Sequence, residues 1–161
     1  MRLYLLRHGD AVDASRSTPD AHRWLTARGR DETLRTAEHL RTLAAPVAVL
    51  TSPLVRAVQT AEIVHAVGAR KDPPTVFAAL ATGALGEIVE RVEDAAHEVL
   101  LLVGHEPTLS ALARRLCGTD TPSGLEKSSL VVLRRDDGAW SLEDVFVPRA
   151  ASGAALGGGR R

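Results

Sequence analysis

Val99-Leu100-Leu101-Leu102-Val103-Gly104-His105 holds the most continuous apolar run in the chain, and its reading decides the fold. Five apolar residues without polar alternation predict a central strand covered on both faces, as in a parallel sheet. Gly104-His105-Glu106-Pro107 turns out of it, leaving a histidine at the strand's carboxyl end. An earlier run, Leu3-Tyr4-Leu5-Leu6, ends the same way in Arg7-His8-Gly9. A third, Val47-Ala48-Val49-Leu50, leads through Ser52-Pro53 into a helical pattern of Leu54, Val58, Ala61 and Val64 that stops at Gly68. Serine there reads as an N-cap and proline as the first helical residue.

Around these runs, Leu34, Ala37, Leu40 and Leu43 recur at helical spacing, as do Leu85, Ile88, Val89 and Val92. Leu109, Leu112, Ala113 and Leu116 mark a further helix ending at Gly118. Thr75 to Ala78 is a weaker strand. Ser129 to Leu133, then Asp136-Asp137-Gly138, then Trp140 to Val147 read as a terminal hairpin. The stretch from about Asp10 to Thr26 is a polar loop. Strands alternating with helices predict an α/β fold, a three-layer α/β/α sandwich around a mostly parallel sheet. Residues 1–148 are expected to form one domain and the Ala, Gly and Arg of 149–161 a flexible tail.

Composition removes several functions. The 20 basic and 20 acidic residues balance, so no net field favours nucleic acid or an anionic membrane. No apolar stretch approaches the roughly 20 residues that span a bilayer, and no secretory signal pattern opens the chain. A cytoplasmic protein, acting as a monomer, is expected. The single cysteine, Cys117, excludes an internal disulfide framework and reads as a buried structural thiol. No pair among the six histidines has metal-site spacing, and no phosphate-binding glycine loop or dinucleotide fingerprint occurs. Neither metal nor organic cofactor is expected.

What remains is a convergence. In open parallel sheets, ligands bind beyond the carboxyl ends of the strands. Arg7, His8 and His105 lie at two such ends, and Arg56 lies in the first turn of a helix leaving a third. Two guanidinium forks, two imidazoles and nearby helix N-termini suit a dianionic phosphoryl group, with one imidazole able to attack it.

Leu5-Leu6-Arg7-His8-Gly9-Asp10, Leu25-Thr26-Ala27-Arg28-Gly29, Thr51-Ser52-Pro53-Leu54-Val55-Arg56-Ala57-Val58-Gln59-Thr60-Ala61 and Val103-Gly104-His105 resemble the motifs of the histidine phosphatase superfamily, in order and spacing. The short length and the Arg-His-Gly-Asp opening resemble its small phosphohistidine phosphatase branch, the SixA type. The resemblance implies a minimal phosphoglycerate mutase-like fold without helical insertions. It also implies His8 as nucleophile of a covalent phosphohistidine intermediate, with Arg7 and Arg56 clamping the phosphoryl oxygens. His105 is implied as a second, hydrogen-bonding histidine, expected as imidazolium.

Many relatives carry a glutamate general acid where this chain reads Leu80-Ala81-Thr82-Gly83-Ala84, with no carboxylate until Glu87. That argues against a mutase or an alkyl-phosphate phosphatase, since a phosphoramidate needs less acid assistance. Asp10 and Glu106 are the acid or water-positioning candidates, by adjacency to the histidines, with turn stabilisation as the alternative role. Without bulky insertions the site is expected to be shallow, suiting a phosphohistidine-bearing protein. The alternatives are a phosphatase of small phosphorylated molecules, such as a nucleotide or sugar phosphate, and a phosphoprotein-binding module with weak turnover.

Overall fold

Alternate side chains along the central strands feed two separate apolar layers, and that division sets the architecture. A computed structural model describes residues 1–46, 48–68, 72–118 and 120–149. Six strands, β1 (Arg2–Arg7), β2 (Ala48–Thr51), β3 (Thr75–Val76), β4 (Val99–Gly104), β5 (Leu130–Asp136) and β6 (Ala139–Phe146), form one sheet in the order β3-β2-β4-β1-β5-β6. The first four are mutually parallel, and β5 and β6 add an antiparallel hairpin. On one face Leu3, Leu5, Leu50, Leu100 and Leu102 pack against α3 (Ala79–Thr82), α4 (Leu85–Glu93) and α5 (Thr108–Cys117). On the other, Tyr4, Leu6, Val49, Leu101 and Val103 pack against α1 (Ala27–Leu40) and α2 (Val55–Val67). Each fully buried leucine contributes about 1.5–3 kcal/mol by leaving water.

β4 is buried along its whole length, as its unbroken apolar run requires. Its register with β1 fixes the site: Arg7 lies opposite Gly104, so His8 and His105 leave neighbouring parallel strands at the same level.

The sequence expectations shift in five places. The strand expected from Val47 is observed from Ala48, Val47 itself lying outside the described residues, as does the tail beyond Arg149. The strand expected over Thr75 to Ala78 pairs only at Thr75 and Val76, both exposed on the sheet edge. The Asp10 to Thr26 loop is more structured than its polarity suggests. An Ala11–Leu25 bridge closes it and a 3₁₀ turn, Asp20–His22, shapes its middle. Helix α2 starts at Val55 with Leu54 as its N-cap, so Ser52 is free of the capping role. Cys117 is half-buried rather than buried, and desolvation raises its thiol pKa.

Candidate active site

The turn after β1 is made by close approach. A Cβ on Gly9 would stand 2.6 Å from Thr33 Oγ1 and 2.8 Å from the Gly29 carbonyl, so only glycine fits between β1 and α1. The Gly9 amide donates to Thr60 Oγ1 at 3.1 Å, which joins the turn to α2. The His8 amide donates to the Gly104 carbonyl at 3.0 Å, extending the β1–β4 ladder by one bond. The two imidazoles thereby meet, with ring centroids 4.9 Å apart and planes inclined by 53°.

His8 is buried and its tautomer is determined by its neighbours. Nδ1 lies 2.7 Å from the Gly9 carbonyl, which can only accept, so Nδ1 carries the hydrogen. Nε2 accepts from Arg56 Nε at 3.3 Å and therefore presents a lone pair. Burial, and then the charges of Arg56 and Arg7 and the neighbouring His105, push its pKa down to about 3 against the favourable pull of the Gly9 carbonyl. The ring is neutral at ordinary pH, with its basic nitrogen turned toward a guanidinium.

Arg56, also buried, does not pair with Glu38 or Glu62. Its Nη1 donates to the Asp20 carbonyl at 2.7 Å and its Nη2 to Asp20 Oδ2 at 3.1 Å. The loop carrying Asp20 thus reaches back 36 residues to brace the guanidinium from outside while His8 holds it from inside. Arg7 Nη1 donates to the Leu125 carbonyl at 2.6 Å, whereas its Nε is buried without a partner. Its charge adds to the lowering of the pKa of both histidines.

His105 Nε2 lies 2.7 Å from Ser52 Oγ, and its Nδ1 is buried without a partner. Burial and the Arg56 charge lower its pKa to about 4, with Asp20 opposing and Arg7 adding to the shift. Desolvation beside guanidiniums favours the neutral form of His105, against the imidazolium expected for a ring that binds a phosphoryl group. An arriving dianion would favour its charged form.

The two carboxylates adjacent to the histidines each have partners of their own. Asp10 pairs with Lys127 at 2.5 Å and accepts from Thr26 Oγ1, the N-cap of α1, at 2.9 Å. Glu106 accepts from the Ser110 hydroxyl at 2.6 Å and the Ser110 amide at 3.3 Å, fastening the first turn of α5. Both make the contacts of the alternative, turn-stabilising role. Sequence reasoning missed Asp20 and Ser52. Asp20 carried no signal, since nothing local marks a loop aspartate as an arginine's partner; Ser52 was visible but was read as a cap.

Two clefts flank the centre. One, of about 400 Å³, is lined by Ala81, Thr82, Leu85, His105, Thr108 and Ala111 among others, and Glu106 is its only carboxylate. The other, of about 320 Å³, is lined by Arg7, Asp10, Arg28, Glu126 and Lys127 among others. Among the described residues no group of three or more His, Cys, Asp and Glu side chains could hold a metal ion. The structure brings together a neutral imidazole with a lone pair, a buried guanidinium hydrogen-bonded to it and a second imidazole, groups of the kind that phosphoryl transfer uses.

Residues 3–86 match the family described as the histidine phosphatase superfamily (branch 1). An uncharacterized protein of Picosynechococcus sp. (strain ATCC 27264 / PCC 7002 / PR-6) is 40% identical over 142 residues, covering 83% of this chain and 85% of its own. The protein histidine phosphatase SixA complexed with tungstate superposes with a TM-score of 0.79 at 26% identity, covering 92% of this chain and 97% of that one. The alpha-ribazole phosphatase from Shigella flexneri shares the fold, with a TM-score of 0.72 at 19% identity over 92% of this chain and 96% of its own.

Proposed function

The chain belongs to the histidine phosphatase superfamily, branch 1, and from that premise we propose that it is a metal-independent phosphohistidine phosphatase working through His8. In this reading His8 Nε2 attacks the substrate phosphorus as the P–N bond to the leaving imidazole breaks. The new phosphoimidazolium keeps its Nδ1–H on the Gly9 carbonyl. Arg56 Nε, which donates to the Nε2 lone pair, transfers its hydrogen bond to a phosphoryl oxygen as that lone pair is used. Arg7 and His105 bind the remaining equatorial oxygens, where charge resides in the transition state. Water then attacks the phosphorus; His8 leaves as the same neutral tautomer, and dihydrogen phosphate departs.

The observation that carries this reading is the tautomer of His8, fixed by Gly9 on one nitrogen and by Arg56 on the other. The preference for phosphohistidine is supported by the apolar Leu80–Ala84 segment, which offers no acid to an alkoxide leaving group. An imidazole protonated on its far nitrogen leaves without one. The 26% identity to the protein histidine phosphatase SixA over nearly the full length points the same way. The substrate is a phosphohistidine-bearing protein, met by a single chain in the cytoplasm, with residues 1–148 as the working domain. No helix among the described residues is long and apolar enough to cross a membrane. A second reading, hydrolysis of a small phosphorylated molecule, draws on the cleft beside His105, which has room for an organic group.

The test is parallel turnover of a phosphohistidine protein, p-nitrophenyl phosphate and a nucleotide and sugar-phosphate panel, all in EDTA. Preference for the first is expected. Preference for a small phosphate selects the second reading, capture of phosphoprotein without turnover selects a binding module, and loss of activity in chelator contradicts a metal-free reaction.

A further inference from the structure

Asp20 is the carboxylate at this centre that neither histidine's neighbourhood in sequence announces. Its Oδ2 lies 3.1 Å from Arg56 Nη2, and Arg56 Nε in turn lies 3.3 Å from the His8 nitrogen that carries the lone pair. Its charge opposes the lowering of the His105 pKa. Its other oxygen pairs with Arg23 at 3.0 Å, and the side chain remains 59% exposed at the mouth of the site. Two guanidiniums keep it anionic, and each of its oxygens retains a further lone pair. An anion at that place is unexpected in a pocket for a dianion, because it weakens phosphate binding. Besides bracing Arg56, it becomes useful when the leaving group carries a proton that it can hold.

We propose that Asp20 is the specificity-determining residue, its carboxylate accepting a hydrogen bond from the far N–H of the substrate's phosphorylated imidazole. The inference rests on the phosphatase reading above. A phosphoimidazole with that far nitrogen protonated loses its phosphoryl group with the P–N electron pair returning to the near nitrogen. The departing ring is then neutral and still holds its far hydrogen, so no proton has to be supplied during the transfer. Asp20 stabilises the protonated ring before cleavage and remains hydrogen-bonded to it afterwards. The Gly9 carbonyl does the same for Nδ1–H of His8 on the opposite side, so the phosphoryl group passes between two similarly supported imidazoles. An ester leaving group has no such hydrogen and faces the carboxylate as a developing anion. The site therefore discriminates P–N from P–O bonds by electrostatics, with no general acid.

The experiment compares kcat/KM on a phosphohistidine peptide with kcat/KM on p-nitrophenyl phosphate, in the full chain and in Asp20→Asn, Asp20→Ser and Asp20→Glu. The ratio of the two is expected to fall at least about tenfold when the charge is lost, the effect of one charge-assisted hydrogen bond. Asp20→Glu should restore most of it. Asp20→Ser serves if the Asn variant does not fold. A ratio unchanged in the Asn and Ser variants, with both substrates losing rate equally, would show that Asp20 only braces Arg56 and overturns the inference. His8→Ala is measured alongside: phosphohistidine turnover that survives it overturns the phosphatase reading itself, and the inference with it.

Discussion

His8 and His105 leave adjacent parallel strands at the same level, and each is followed two or one residues later by a carboxylate. Their surroundings differ nonetheless. His8 has both ring nitrogens engaged, one by a carbonyl that fixes its hydrogen and one by a guanidinium that marks its lone pair. His105 has one nitrogen on a serine hydroxyl and the other without a partner. In the proposed function the first ring attacks, while the second keeps a choice of tautomer that suits it to donate to an anion. Identical side chains at equivalent strand ends acquire different chemistry from their hydrogen-bond partners alone.

That contrast can be broken most severely at His8. His8→Ala should lower turnover by about 10⁴-fold or more, the loss usual for a covalent nucleophile. A circular-dichroism melt close to the parent would confirm that the fold is intact. His105→Ala should cost less, about 10²-fold, as loss of an oxyanion donor does, so equal losses at the two positions would erase the distinction. Arg56→Ala should also cost about 10²–10³-fold in kcat. It should in addition raise the His8 pKa, because a lowering charge is removed, and an imidazole NMR titration reads this directly. Ser52→Ala should have the smallest effect, about fivefold, from one lost hydrogen bond to His105.

Ionisation sharpens the same comparison. With pKa values pushed down to about 3 and about 4, both rings should stay neutral as pH falls from 7 to 5. Because folding lowers these values, their neutral forms favour the folded state above the ordinary histidine pKa of about 6.5, and that contribution is lost as pH falls toward the folded values. Nitrogen-15 shifts should show the Nδ1–H tautomer of His8 throughout; midpoints near 6.5 would contradict the burial argument. Adding tungstate should raise the His105 midpoint, since an anion favours imidazolium.

Much of the fold was legible in the sequence because it depends on patterns that few other structures share. Val99–Val103 has no polar face, so only a strand covered on both sides accommodates it. The approach of His8 and His105 followed from their positions at the ends of adjacent parallel strands, and that of Arg56 to His8 from its place in the first turn of the helix leaving a third. The charge state of His105 was not legible, since it depends on burial rather than identity. The partners of Asp10 and Glu106 were not legible either, because they come from the folded turns: Lys127 and Thr26 for one and Ser110 for the other. Asp20 was hidden because its role comes from a contact with Arg56 that only the folded loop creates.

The claim on which the rest depends is that His8 Nε2 becomes covalently phosphorylated. Rapid alkaline quenching during turnover of a phosphohistidine peptide, followed by peptide mass mapping, tests it directly. A phosphoryl group on His8, absent in His8→Ala and formed no more slowly than turnover, is the predicted result. Turnover with no phosphate on His8, or with phosphate on His105 instead, would contradict it.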